Sequence, residues 1–208
     1  MTKGPIPSPR DQWEERYRSE VYFYGTEPNG FLADHVGDLP VGRILCLAEG
    51  EGRNAVFLAE RGFSVSSVDL TRAGVDKTLR LASARGTAVD ASVGDLADFD
   101  LGTACWDGIV SVFAHIPKPI RIDLHQRVTR ALRPGGVFLL EAYRPAQVGR
   151  GTGGPPTAEL MMSLEELRGE LSPLEVTFGA ETDREIIEGS GHTGGGAVVQ
   201  FIARKPLV

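Results

Sequence analysis

The segment Ile44-Leu45-Cys46-Leu47-Ala48-Glu49-Gly50-Glu51-Gly52-Arg53-Asn54 constrains the fold of this chain more than any other. Its apolar start reads as a short strand and its two glycines as a tight turn. Residues 54–61, with Ala55, Phe57, Leu58 and Ala59, then read as a helix closed by Gly62. The same rhythm continues downstream. Residues 63–68 alternate apolar and polar side chains as a strand ended by Asp69, and Thr71 caps a helix to Arg85 that Gly86 closes. Residues 88–93 and 106–113 read as two further strands, 119–132 as a helix, 133–136 as a turn and 137–143 as a fifth strand. Repeated strand–helix alternation with apolar strands implies a parallel sheet covered on both faces, an α/β fold.

The flanks read differently. Residues 1–10 hold three prolines and are expected to start disordered. Asp11-Gln12-Trp13-Glu14 has the form of a capping box opening a helix to about Ser19. The aromatic run Val21-Tyr22-Phe23-Tyr24 ends in the turn Gly25-Thr26-Glu27-Pro28, and Pro28 can open a second helix with Phe31, Leu32 and Val36 on one face. Beyond Tyr143 come a Gly/Pro-rich loop over 145–158 and a second capping box at Ser163-Leu164-Glu165-Glu166. Two strands, 174–180 and 197–205, are expected there with a long polar connection between them. With 208 residues, 41% of them hydrophobic, the chain is sized for one domain. That domain divides into a helical and aromatic cap (1–40), a βα core (41–143), and a substrate loop with the C-terminal strands (144–208).

Charge narrows the partners. The net charge is −6, and the basic residues are scattered among acids. A chain that lives on phosphate contacts carries a basic face, so nucleic acid is not an expected partner. No run approaches the ~20 apolar residues of a membrane helix, and no apolar signal region opens the chain, so a cytoplasmic protein without a membrane partner is expected. Cys46 and Cys105 lack metal-ligand spacing and read as reduced thiols, and no metal is indicated. Nothing in the sequence speaks to oligomeric state.

Gly50 and Gly52 let the backbone turn tightly and approach a ligand, and the N–H groups opening the next helix suit a carboxylate or phosphate. Taken alone, the turn also fits the G-x-G-x-x-A dinucleotide fingerprint. Asp69 lies 17 residues past Gly52, where a carboxylate can accept from ribose hydroxyls in either kind of site. Gly94-Asp95-Leu96 follows the third strand, where an acid and the next N–H can read an adenine edge. Trp106-Asp107-Gly108-Ile109-Val110 and Leu132-Arg133-Pro134-Gly135-Gly136 complete the set.

In this order and spacing, across residues 40–143, the blocks resemble the class I S-adenosylmethionine-dependent methyltransferases. Two departures stand out: Cys46 replaces the usual acid of the first strand, and Ala48 replaces the first glycine of the usual triplet. An alanine there is expected to keep an ordinary negative φ. Trp13, Tyr17, Tyr22 and Tyr24-Gly25-Thr26-Glu27-Pro28, followed by Gly50–Ala55, are similar to the tellurite-resistance and thiopurine methyltransferase-like branch. That resemblance implies a three-layer Rossmann-like fold with a seven-stranded, mostly parallel sheet whose last strand is antiparallel. It implies S-adenosyl-L-methionine as cofactor, an N-terminal aromatic segment packed over it, and a small heteroatom acceptor such as a thiol or a selenium or tellurium oxyanion. By position it implies cofactor contacts from Trp13, Tyr22 and possible company from Tyr17, and from Glu49, Gly50, Glu51, Gly52, Asn54, Asp69, Leu70, Asp95, Leu96, Phe113 and Ala114. A non-catalytic module that kept the cofactor pocket, and an NAD(P)-dependent reductase, stand as the alternatives.

Adenosylmethionine carries a reactive methyl, so aligning the nucleophile is the main task and can supply ~7–11 kcal/mol. Thiolate, selenite and tellurite need no general base, whereas a neutral amine or hydroxyl often does. His115, directly after the fourth strand, is a candidate for substrate positioning or proton transfer, or else orders its loop. His192 is the second candidate, in a glycine-rich link that could fold over the site, whereas His35 and His125 are expected on helix surfaces. Arg144, Arg150 and Arg184 are candidates to bind an anionic substrate, and the long Gly/Pro loop at 150–156 reads as a lid or substrate loop.

Overall fold

The computed structural model describes residues 8–207. Helices α1 (Pro9–Tyr17) and α2 (Gly30–Asp34) lead into β1 (Arg43–Leu47), α3 (Arg53–Glu60), β2 (Ser64–Asp69), α4 (Arg72–Ala84) and β3 (Asp90–Val93). The chain continues through β4 (Trp106–Val112), α5 (Lys118–Ala131), β5 (Leu132–Tyr143), α6 (Leu164–Glu170), β6 (Glu175–Glu188) and β7 (His192–Arg204). The strands form one seven-stranded sheet in the order β3-β2-β1-β4-β5-β7-β6. Neighbours from β3 to β5 are parallel, and β7 enters antiparallel between β5 and β6.

Successive strand residues face opposite sides of the sheet, and the core divides accordingly. Leu45, Leu47, Ile109, Phe138, Leu140 and Phe201 face α5 and α6, packing on Leu124, Val128, Leu167 and Leu171. Ile44, Cys46, Val110, Leu139 and Ile202 face the other side, against Leu32, Ala55, Leu58 and Leu81. Each such aliphatic side chain, once fully buried, contributes roughly 1.5–3 kcal/mol. Strand order reverses between β1 and β4, so the ligand crevice of such a sheet opens at their carboxyl ends. No helix among the described residues is long and apolar enough to cross a membrane.

Several local expectations are corrected. Of the segment expected to be disordered, residues 1–7 lie outside the described residues, while 8–10 begin α1. The cap of α1 is Ser8, whose hydroxyl accepts from the Asp11 N–H, so Asp11 is the third helical residue of the box and not its start. The second helix is opened by Asn29, whose side chain accepts from the Leu32 N–H, and not by Pro28. His125 is buried, because α6 folds onto α5 and brings Glu170 within 2.7 Å of its Nδ1. The long polar connection at the C-terminus does not exist. Its residues extend β6 and β7 into a paired hairpin that turns through 189–191. Ladder hydrogen bonds satisfy the backbone there, although apart from Ile186 and Ile187 the side chains are mostly polar, small or charged.

Candidate active site

Two strained residues mark the crevice. Ala48 ends β1 at φ +47° and Phe113 ends β4 at φ +53°. The expected ordinary φ of Ala48 is therefore wrong, and each left-handed non-glycine residue costs about 1–2 kcal/mol that its surroundings must offset. Glu49 follows Ala48, and its Oε1 accepts from the Asn54 and Ala55 N–H groups at 2.9 and 2.8 Å, first-turn donors of α3 that have no partner within the helix. Burial pushes its pKa up to about 7, against the pull of those N–H groups and of Arg53. Its carboxyl also hydrogen-bonds with the Cys46 thiol.

Gly50 donates its N–H to Asp69 Oδ2 at 2.8 Å, and Asp69 Oδ1 accepts from the Thr71 N–H and hydroxyl. Asp69 thereby ties the glycine turn to the start of α4. The Tyr17 ring lies over the turn, where a Cβ on Gly50 would come 2.8 Å from its hydroxyl. Gly52 has φ +95°, and a Cβ there would sit 2.6 Å from Thr78 Cα, so this glycine serves the packing of α3 on α4. Glu51 points away into an ion pair with buried Lys77 at 2.6 Å and accepts from the Tyr24 N–H.

Residues 13–25 form a strap across this end. Glu14 accepts from the Arg72 and Ala73 N–H groups at the start of α4. Trp13 is half-buried against Tyr17 and Tyr24, with ring centroids 5.5 and 6.3 Å away. Tyr22 donates its hydroxyl to the Lys77 carbonyl, and Phe23 O accepts from the N–H groups of Ser190 and Gly191 at the hairpin turn. Leu70 is half-exposed, Asp95 is exposed with its Oδ1 accepting from the Ala97 N–H, and Leu96 and Ala114 are buried.

On the other side of the crevice stands an aromatic cluster. His192 packs against Phe113, Tyr24 and Tyr143, with centroids 4.4, 4.5 and 5.4 Å apart. Burial lowers its pKa to about 3, helped by the Arg53 charge, so the ring is neutral. His115 accepts at Nε2 from the Tyr143 N–H at 3.0 Å and hydrogen-bonds with the Phe113 carbonyl. Its pKa falls to about 4, chiefly because it is removed from water. The ring thus ties the loop after β4 to the end of β5 through the Phe113 and Tyr143 backbone.

The candidate arginines are already paired. Arg144 and Arg150 share the exposed Asp183 at 2.7 and 2.8 Å. Arg184 holds Glu141 with two nitrogens and Glu188 with one, inside a network that also takes in Asn29, Gln200 and Arg53. Asn54 joins it by accepting from the Asn29 N–H at 2.9 Å. Loop 149–154 is fastened down: buried Gln147 donates to Thr152 Oγ1 and the Gly153 carbonyl and accepts from the Ala197 N–H. Sequence reasoning missed Arg53, Glu141, Tyr143 and Glu188. Glu141, a charge inside the strand pattern 137–143, was the available signal, since a buried charge needs a partner, whereas Arg53 and Glu188 fell in the glycine turn and the polar connection.

A methyltransferase domain family model matches residues 44–136. The 2-heptyl-1-hydroxyquinolin-4(1H)-one methyltransferase of Mycobacteroides abscessus is 27% identical over 160 residues, which is 75% of this chain and 68% of that protein. Among solved structures, one from work on the conversion of a disulfide bond into a thioacetal group during echinomycin biosynthesis superposes with a TM-score of 0.74. It is 18% identical, covering 95% of this chain and 91% of that one. TehB from Haemophilus influenzae superposes at 0.71, again 18% identical, covering 94% and 66%. These likenesses establish the shared fold.

Proposed function

We propose that the chain is a class I S-adenosylmethionine-dependent methyltransferase whose acceptor is a small molecule presenting a heteroatom that is already nucleophilic near neutral pH. One observation carries this reading. Among the described residues of the aromatic wall, none is a base that titrates near neutrality: His192 is neutral with its pKa near 3, His115 is spent on backbone, and burial raises the Tyr143 hydroxyl well above its ordinary value. Such a site suits a thiolate or a selenium or tellurium oxyanion, which needs alignment and not proton removal. The relative named for a 1-hydroxyquinolone favours a second acceptor of the same kind, an acidic N-hydroxy group.

In this reading the glycine turn, Glu49 and Asp69 hold the cofactor. The Glu49 carboxyl, poised near neutrality beside the turn, fits an ammonium group, and Asp69 fits the ribose once its oxygens exchange partners. Asp95 and Leu96 take the adenine edge, and the Trp13–Tyr22 strap covers the crevice and excludes water. Adenosylmethionine, when bound, supplies an activated sulfonium methyl. Phe113, Tyr143 and His192 then orient the acceptor behind it. The first experiment is calorimetry with adenosylmethionine, adenosylhomocysteine and NAD(P)H, followed by methyl-transfer assays on aryl thiols, selenite, tellurite and an N-hydroxyquinolone. Micromolar binding of the first two, lost in Asp69→Ala, with turnover of acceptors from this panel, is expected. Binding of NAD(P)H alone, or turnover confined to neutral amines and alcohols, would refute the reading.

A further inference from the structure

Arg53 is 6% exposed, and its Nη2 donates to Glu188 Oε2 at 2.5 Å. Its Nη1 is buried without a partner. Leaving a charged donor unmade in the interior is costly, so such an atom calls for an explanation. Two other buried polar atoms lack partners close by: the Tyr143 hydroxyl and His192 Nδ1. Glu188 stands directly opposite His192 in the β6–β7 ladder, so the Arg53–Glu188 pair is anchored one cross-strand step from that ring. The Arg53 charge acts on both His192 and Tyr24. The cationic end of Arg53 and the aromatic wall of Phe113, Tyr24, Tyr143 and His192 therefore belong to one place.

Of the other cations here, Arg16 lies over the Trp13 and Phe23 rings with its Nη1 3.5 Å from the Tyr24 hydroxyl, outside the Phe113–Tyr143–His192 wall, and the rest are paired. Arg184 is matched by Glu141 and Glu188, and Lys77 by Glu51. Arg144 also leaves its Nε unmade, but it is 23% exposed and its charge is met by the exposed Asp183.

We propose that Arg53 is the residue that selects the acceptor's charge, its free Nη1 receiving a flat aromatic anion, an aryl thiolate or an ionised N-hydroxy heteroaromatic, that lies against the Phe113–Tyr143–His192 wall. The proposal rests on the methyl-transfer reading above for the identity of the site, and adds the residue and the charge class. A planar guanidinium with one edge fixed by Glu188 presents its other edge in a set direction, which a lysine cannot reproduce.

The test reads binding and not turnover, so it can fail independently of the methyl-transfer reading. Protein saturated with adenosylhomocysteine is titrated with para-nitrobenzenethiol, a coloured thiolate in neutral buffer, and with neutral para-nitrotoluene. The wild type is expected to prefer the thiolate by about tenfold or more. Arg53→Met is expected to lose about 10- to 100-fold for the thiolate and little for the nitrotoluene, with Arg53→Lys in between. The thiol's colour, followed against pH, should show ionisation at lower pH when bound to the wild type than when bound to Arg53→Met. Should Arg53→Met not fold, the double variant Arg53→Met/Glu188→Met removes both buried charges and carries the same comparison. Three results would overturn the proposal: no preference for the thiolate in the wild type, equal losses for both probes, or a loss confined to adenosylhomocysteine and absent for methylthioadenosine. The last would mean that Arg53 reads the cofactor's carboxylate.

Discussion

At Cys46 the first strand carries a thiol where the resembled methyltransferases carry an acid, yet the Glu49 carboxyl returns to hydrogen-bond with that sulfur. Three residues of chain and one left-handed alanine bring an acid back to the place the motif lacks. Burial holds the Glu49 pKa near 7, above the ordinary carboxylate value, so the native state favours the protonated form. The sign follows: stability falls as pH rises from about 4.5 through about 7, and a bound ammonium recovers the loss by favouring the anion. Adenosylmethionine affinity is therefore expected to rise about tenfold from about pH 6 to about pH 8. Glu49→Gln should flatten that slope in calorimetry and gain about 1–3 kcal/mol of stability at the upper end.

Elements meet in this protein through close approaches that no single element reveals. Helix α3 starts on Gly52 and presses against Thr78 of α4, so closely that a Cβ added at Gly52 would lie 2.6 Å from the Thr78 Cα. Gly52→Ala combines a left-handed alanine with a clash against backbone, and is expected to cost about 2–5 kcal/mol in urea unfolding. Thr78→Ala should not rescue it, because the nearest atom is the Cα and not the hydroxyl. Helices α5 and α6 are joined by charge: Arg121, 1% exposed at its side chain, and His125 both hold Glu170. The spacing of His125 in its helix pattern suggested a surface residue because the pattern of α5 alone does not show where α6 lands.

Across the whole molecule, the Arg53, Glu188, Arg184, Glu141 and Asn29 network joins the glycine turn, the C-terminal hairpin, β5 and the entry to α2. Burial would raise the Glu188 pKa, but Arg53 and Arg184 more than offset it, and the carboxylate stays charged. Removing it with Glu188→Ala leaves Arg53 without a carboxylate and Arg184 with only Glu141. A loss of about 3–5 kcal/mol is expected by chemical denaturation, since an uncompensated buried charge remains. The N-terminal strap shares this dependence, because Phe23 is held by the hairpin turn.

The amino-acid sequence by itself determined the alternating core, the glycine turn, Asp69 at the end of β2 and Thr71 as the cap of α4, because periodicity, turn chemistry and capping act within a few residues. The parallel order from β3 to β5 follows from those signals together with the geometry of strand–helix–strand connections. The local pattern did not show that 181–188 and 192–196 are strand, since their pairing with each other and with β5 decides it and not their own apolar periodicity. Only the tertiary structure decided which charged groups are free. His115, Arg150 and Arg184 qualified by residue type and place, but each met a partner from a distant segment; Arg144 met Asp183 and leaves its Nε unmade, and Arg53, inconspicuous in the motif, met Glu188 and leaves its buried Nη1 unmade. Whether a polar atom is satisfied depends on the atoms around it in space, and sequence spacing carries no account of those.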